Sequence, residues 1–271
     1  MEYRTLGNSP IEVSTVGFGC WGIAGGPMWG QQDESESIRA LQVALDHGVT
    51  FFDTAESYGA GYSEEVVGKA LRGRRSDAII ATKVLPTNLD AAGIRNACEI
   101  SLRRLSSDYI DLYQIHWPNP TCDPDDVVRT LLALQQEGKI RHAGVCNFGP
   151  ADLQRYPDDL FVSNQFAYSL LFRAAEYSLV PETVSRGMSI IAYSGLLHGI
   201  LGGTYQTADD VPPARARTRH FSGRREEARH GEAGHEKRTF ETLAQVRAYA
   251  EEVGVRERDL ALKWVMAREG V

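Results

Sequence analysis

Two hydrophobic periods alternate along most of the chain. Tight apolar runs at 49–53, 77–83, 109–116, 140–145, 160–166 and 188–193 read as buried strands. Between them, residues 33–47 carry Ile38, Leu41 and Leu45 at helical spacing, and 63–71, 90–105, 125–137, 151–156 and 177–186 also read as helices. Ser63-Glu64-Glu65 suits a helix N-terminus, where acids complement the dipole, and Gly138 ends the helix before it. At the N-terminus, 2–5 and 11–13 form a small hairpin turned by Gly7-Asn8, and 14–19 is the first strand of the series. Repeated β–α steps imply parallel strands with helices outside. Seven of them without a break in composition favour a closed barrel over an open sheet. The expectation is one α/β domain over 1–271, a (β/α)8 TIM-type barrel with an N-terminal β-hairpin.

The beat breaks after Leu201. Residues 202–238 are polar and rich in Gly, Arg and Glu, with Pro212-Pro213 inside. They read as a long, mobile loop, either a solvated excursion or a lid over the barrel mouth. Residues 240–253 and 257–268 then read as helices. An eighth strand is expected to start at Gly270-Val271, so strand eight and the C-terminal segment beyond it are expected to be missing. Such a barrel would expose the edges of strands one and seven.

Composition narrows the class. The 271 residues, 42% hydrophobic and 24% charged, fit a globular chain of one barrel or two small domains. A net charge of −7 argues against general nucleic-acid binding, while leaving room for a local basic site. Cys20, Cys98, Cys122 and Cys146 form no C-x-x-C pair, so neither zinc nor a redox dithiol is expected, and no other metal is. The start lacks a basic segment followed by an apolar one, and no run approaches the roughly 18 apolar residues of a membrane helix. A reduced cytoplasmic protein is the default.

Gly17-Phe18-Gly19-Cys20-Trp21-Gly22 matches G-x-G-x-x-G, with acids at Asp33, Glu34 and Glu36 downstream. A dinucleotide fingerprint needs a helix starting at the glycines. Here they run into Ile23-Ala24-Gly25-Gly26-Pro27, so the motif is set aside. The glycines are instead expected to let a loop at the mouth pass close to a ligand.

Three apolar runs end in polar groups: Asp53 after Phe51-Phe52, Lys83 after Ala81-Thr82, and His116 after Gln114-Ile115. In a parallel barrel all strand C-termini share one mouth, and Tyr58 lies five residues past Asp53. A tyrosine hydroxyl titrates at about 10, too high for ready proton exchange near neutrality, and an adjacent ammonium lowers it. A carboxylate keeps that ammonium charged, and a neutral histidine can donate to a carbonyl oxygen. Together the four could polarise a carbonyl and protonate it. Taken singly, each has a plainer role: Asp53 a turn, Lys83 reaching for water, His116 and Tyr58 loop structure. Their joint position in consecutive units favours chemistry.

Phe52-Asp53-Thr54-Ala55-Glu56-Ser57-Tyr58-Gly59, continuing through Tyr62-Ser63-Glu64 to Gly68, resembles the first signature of the aldo-keto reductases. Ala81-Thr82-Lys83 resembles the family's lysine strand, Asp108 to Trp117 its histidine strand, and Gly138-Lys139-Ile140-Arg141 through Cys146-Asn147-Phe148 the stretch that reaches the nicotinamide. The resemblance runs from about Arg4 to the end. Residues 165–173 are similar to the branch holding bacterial stress-type reductases and potassium-channel β subunits.

The resemblance implies that Tyr58 is the general acid, Lys83 tunes it, Asp53 holds Lys83 and His116 orients the carbonyl. It implies NADP(H) as cofactor, with NAD(H) open, contacted by Cys20, Trp21, Asp53, Cys146, Asn147, Gln165, Tyr193, Ser194 and Leu196. Asn147 and Gln165 would hold the carboxamide, and Tyr193 would stack on the ring. Trp29 and Trp117 would join Tyr58 and His116 in walling a pocket for a small carbonyl or alcohol. Departures stand at Cys146, where the family often has Ser, at Gly195, where it has Pro, and at His198. The family's 2′-phosphate segment lies beyond strand eight. Arg215, Arg217 and Arg219 offer positive charge but read as a solvated run. Other readings are a nicotinamide-nucleotide-sensing partner protein of slow turnover and an inactive fragment. Substrate and oligomeric state are not legible.

Overall fold

The computed structural model describes residues 1–271. A hairpin, β1 (Tyr3–Thr5) and β2 (Glu12–Ser14), precedes the alternation β3 (Phe18–Gly19), α1 (Glu34–Asp46), β4 (Phe51–Asp53), α2 (Tyr62–Ala70), β5 (Ile79–Val84), α3 (Ala91–Leu105) and β6 (Ile110–Ile115). It continues through α4 (Pro124–Gln136), β7 (Ile140–Cys146), α5 (Pro150–Leu153), β8 (Phe161–Ala167), α6 (Leu179–Ser185), β9 (Ser189–Tyr193), α7 (Glu236–Glu252) and α8 (Glu257–Met266). β1 pairs with β2 antiparallel, and β3 to β9 form one seven-stranded sheet in chain order. Parallel neighbours joined in sequence through helices are the pattern of a (β/α)8 TIM-type fold.

The chain divides into two compact units: 1–166 with 177–191 and 270, and 167–176 with 192–269 and 271. In the first, strand alternation sorts side chains to two cores. Phe52, Ile80, Tyr113 and Ile115 pack with Leu41, Val66, Ile94 and Val127 from the helices. Phe51, Ala81 and Leu112 turn the other way and meet Leu6, Ile11 and Val13 from the hairpin region. Strands buried on both faces explain why the sequence shows continuous runs rather than alternation.

The same period places the chemistry. Asp53, Lys83 and Gln114 lie two residues beyond Phe51, Ala81 and Leu112, and so share their face. On β8 the register slips by one residue between the pairs Ala143↔Phe161 and Val145↔Asn164. That irregularity shifts the alternation and lets Gln165 share the face of Val162, three residues earlier.

The helices begin where acids can cap them. Asp33 accepts from Glu36 N at 2.9 Å and Asp90 from Gly93 N at 2.7 Å. α2 differs. Gly61, at φ +99°, precedes it, and Glu64, which reads from the sequence as a first-turn acid, is fully buried.

The glycine motif opens no helix; a 3-10 turn covers Gly22–Ala24 and α1 starts at Glu34. A Cβ on Gly17 would lie 2.8 Å from Phe51 Cδ1, so this glycine makes room for a core ring. β3 is shorter than the expected 14–19, because Ser14 pairs with Tyr3 and its Oγ accepts from Thr50 N at 3.0 Å.

In the second unit, Tyr205, Val211, Ala216 and Phe221 of the expected loop are buried with Leu197, Ile200, Leu201, Leu243 and Ala261. Their spacing follows no period, so composition alone hides this core. Arg247 of α7 ties it, donating to Glu257 Oε2 at 2.7 Å and to the Tyr205 carbonyl. α7 starts four residues before the expected 240, because Glu236-Lys237-Arg238 show no apolar stripe. At the position expected to open an eighth strand, the Gly270 carbonyl accepts from Ile190 N at 2.6 Å. No helix is long and apolar enough to cross a membrane.

Candidate active site

The centre of the site is a buried cation. Lys83 on β5 has no solvent exposure. An ammonium has three donors, and each finds an acceptor: Asp53 Oδ1 at 2.6 Å, the Thr54 carbonyl at 2.7 Å and Tyr58 Oη at 3.3 Å. Burial, the largest single influence, acts to strip the charge, but Asp53, Tyr58 and Cys146, in that order, together outweigh burial and hold the Lys83 pKa above its ordinary value.

Asp53 is fixed in turn. Its Oδ2 accepts from Gln165 Nε2 at 2.8 Å and from Gln114 Nε2 at 3.3 Å. Gln114 Oε1 accepts from Cys146 Sγ at 3.6 Å. Gln114 is not among the residues that the sequence singles out, although strand period sets it on one face with His116, two residues on. For Gln165 the expectation is a cofactor amide; its NH2 group holds Asp53.

Tyr58 sits where a turn of unusual backbone carries it inward. Gly59, Ala60 and Gly61 all have positive φ, at 60°, 54° and 99°. Because Tyr58 Oη accepts from Lys83, its own proton is left to be donated outward. From sequence, Lys83 is expected to bring the hydroxyl below its ordinary value. Burial wins instead: it pushes the Tyr58 pKa up to about 12, with Lys83 only offsetting part of the rise. At neutral pH the phenol is therefore a protonated donor.

His116 follows β6. Its ring stands edge-on to Tyr58 with centroids 5.8 Å apart, and Nδ1 meets Ser57 Oγ at 3.4 Å. Burial, reinforced by Lys83, lowers its pKa to about 4, so the imidazole is neutral near pH 7. This has a linkage consequence. The folded pKa lies below the unfolded one, so the unfolded chain takes up the proton first and stability falls as pH drops from about 6.5 towards 4. About two and a half units correspond to about 3 kcal/mol. Urea unfolding at pH 7 and pH 4 should show that loss, with His116→Gln losing about 3 kcal/mol less than the parent. Equal losses in both chains would overturn it.

Aromatic rings flank the hydroxyl. Trp21 stacks on Tyr58 with centroids 6.1 Å apart, and Trp29 meets Trp21 edge-on at 5.7 Å. Trp117 is half exposed beside His116. Cys20 and Cys146 are buried, and burial raises both thiols well above the ordinary range. Cys20 N donates to the Asp53 carbonyl at 2.8 Å. Asn147, at φ +62°, donates through Nδ2 to the His116 carbonyl at 3.3 Å, and its backbone N donates to the Gln165 carbonyl at 2.8 Å. Asn147 and Gln165 thus stand at adjacent strand ends. Tyr193, Ser194 and Leu196 belong to the second unit. There the Tyr193 carbonyl accepts from Tyr168 N, and the Ser194 and Leu196 carbonyls accept within the turn around Leu197–Gly202, which holds Ser194 at φ +55°.

A family model for the aldo/keto reductase family matches residues 15–271. Aldo-keto reductase YhdN of Bacillus subtilis (strain 168) is 39% identical over 214 residues, covering 75% of this chain and 64% of that protein. The chain thus spans less than two thirds of that relative's length. The NADH-specific methylglyoxal reductase of Escherichia coli (strain K12) is 35% identical over 237 residues, 78% of this chain and 72% of that one. An aldo-keto reductase from Klebsiella pneumoniae, solved in complex with NADPH, superposes with a TM-score of 0.75 at 30% identity, over all of this chain and 84% of the other.

Proposed function

The chain belongs to the aldo/keto reductase family, and we propose on that premise that it reduces a small aldehyde or ketone to the alcohol, with NADP(H) as cofactor and Tyr58 as general acid. The observation that supports this most is the Lys83 ammonium, which donates to Asp53, the Thr54 carbonyl and Tyr58 Oη, so the phenol does not spend its own proton on Lys83.

The residues present suit a nicotinamide. Asn147 and Gln165 place two side-chain amides at neighbouring strand ends, and amides match a carboxamide donor for acceptor. Bound NADPH would supply the hydride that arrives at the carbonyl carbon. The protein's part is then to place the carbonyl oxygen and protonate it. His116, neutral, can donate to that oxygen and set its direction. Tyr58 gives up its proton, and Lys83 stabilises the phenolate left behind. Trp21 and Trp29 supply an apolar wall beside Tyr58, which suits an aromatic or short aliphatic aldehyde. NADP(H) is the cofactor of the solved neighbour from Klebsiella pneumoniae, and NAD(H) stays open, since one relative is named as NADH-specific.

Oxidation of NADPH and of NADH with an aromatic aldehyde, followed with titration of each cofactor by tryptophan fluorescence, tests the reading. Saturable binding with aldehyde-dependent oxidation is expected. Tight cofactor binding without turnover on any aldehyde or ketone would replace it by the sensing role.

A further inference from the structure

Tyr58 is followed by three residues in the left-handed region, a conformation that costs an alanine on the order of 1 kcal/mol. Something must hold this turn, and the groups doing so lie outside the four-residue site. Arg104, near the end of α3, reaches it with both arms of its fork. Nη2 donates to the Ala60 carbonyl at 2.9 Å, and Nη1 donates to Glu64 Oε2 at 3.2 Å. The close approach is built in on both sides. A Cβ on Gly61 would fall 2.0 Å from Arg104 Cζ, and one on Gly68 would fall 2.7 Å from the Leu105 backbone.

Glu64 has no exposure, and burial raises its pKa against the pull of Thr82 and Arg104. Its other oxygen accepts from Thr82 Oγ1 at 2.6 Å. Thr82 is the residue before Lys83 and faces the helices while Lys83 faces the interior. One buried carboxylate therefore joins the strand that carries Lys83 to the guanidinium that grips the turn after Tyr58. A second path runs parallel: Thr54, whose carbonyl accepts from Lys83, donates through Oγ1 to Ser63 Oγ at 2.9 Å, and Ser63 donates to the Cys20 carbonyl at 2.8 Å.

We propose that Arg104, acting through Glu64 and the Ala60 carbonyl, is a positioning residue that sets the reach of Tyr58 towards Lys83. It touches neither substrate nor cofactor; it fixes the backbone from which the acid projects. The proposal rests on the reading of Tyr58 as the proton donor. Lysine cannot replace it, since a single ammonium lacks the planar fork that spans the two acceptors. Arg104 is partly exposed, so a small cation added to solution can reach the space left by its removal.

Arg104→Ala should lower kcat about a hundredfold, the scale of an ångström of misplacement, with KM within about twofold. Millimolar guanidinium chloride should restore part of the rate, and sodium chloride at the same ionic strength should not. Arg104→Lys should keep the parent's thermal midpoint and still lose most of the rate. A readout free of turnover is the ionisation of Tyr58, taken as the tyrosinate absorbance difference between each chain and its Tyr58→Phe counterpart. Its midpoint, about 12 in the parent, should move down towards 10 without Arg104, because burial is what raises it. An unchanged midpoint in both folded variants overturns the role. If the parent turns over no carbonyl, the functional reading fails by itself, and the Tyr58 midpoint still decides the part of Arg104.

Discussion

Tyr58→Phe should lower the rate of carbonyl reduction about a thousandfold, the middle of the range for loss of a general acid. Cofactor affinity should change little, because the phenyl ring keeps its packing against Trp21 and only the hydroxyl is lost. The dependence on pH tests the same proton. With a pKa of about 12, the hydroxyl is protonated throughout the neutral and mildly alkaline range, so the reduction rate should be flat there. Alcohol oxidation needs the phenolate, so its rate should climb with pH over the same range. His116 adds no inflection near 6.5, since its pKa of about 4 leaves it neutral. Stopped-flow reduction rates for both chains and steady-state oxidation across pH check these together. A mutant as fast as the parent would remove Tyr58 from the mechanism. An oxidation rate independent of pH would mean that another group takes the proton.

The parts of this site that are legible in the sequence are those that strand period controls. Asp53 and Lys83 close apolar runs, His116 follows one, and the parallel alternation brings the three together, as the Lys83–Asp53 pair at 2.6 Å and the His116–Tyr58 ring contact show. The support beneath them is harder to see for definite reasons. Gln114 is buried in a continuous run and looks like an interruption of it. Gln165 reaches Asp53 only because a one-residue slip on β8 changes its side, and no periodicity announces such a slip. Glu64 stands beside Glu65 in a first turn, where acids are ordinarily solvated; only the fold reveals that one of the two faces inward. The sign of the Tyr58 shift is not legible, because a neighbouring charge can be inferred from sequence, whereas the depth at which it acts cannot. The 202–238 segment reads as a loop for a related reason: its four buried side chains are scattered among polar ones.

The ion pair at the centre allows a test that separates stability from chemistry. Asp53→Asn leaves Lys83, fully buried, without its counter-charge. Burial then loses its main opponent, the lysine pKa falls, and the folded state must either hold an uncompensated cation or release a proton. Breaking such a pair costs about 3–5 kcal/mol. Lys83→Met alone should cost less, because Asp53 keeps some exposure and both amides, Gln165 and Gln114. Combining the two replacements removes both charges while methionine refills most of the lysine stem, so stability should return to within about 1–2 kcal/mol of the parent. Activity should not return, since Tyr58 then has no cation to stabilise its conjugate base. Urea unfolding of the parent, both single variants and the double variant closes the cycle. If the double variant is destabilised by the sum of the two singles, the charges are not coupled, and the rise in the Lys83 pKa loses its cause. If it is restored in both stability and turnover, the pair serves the fold alone and the proton donor works without it.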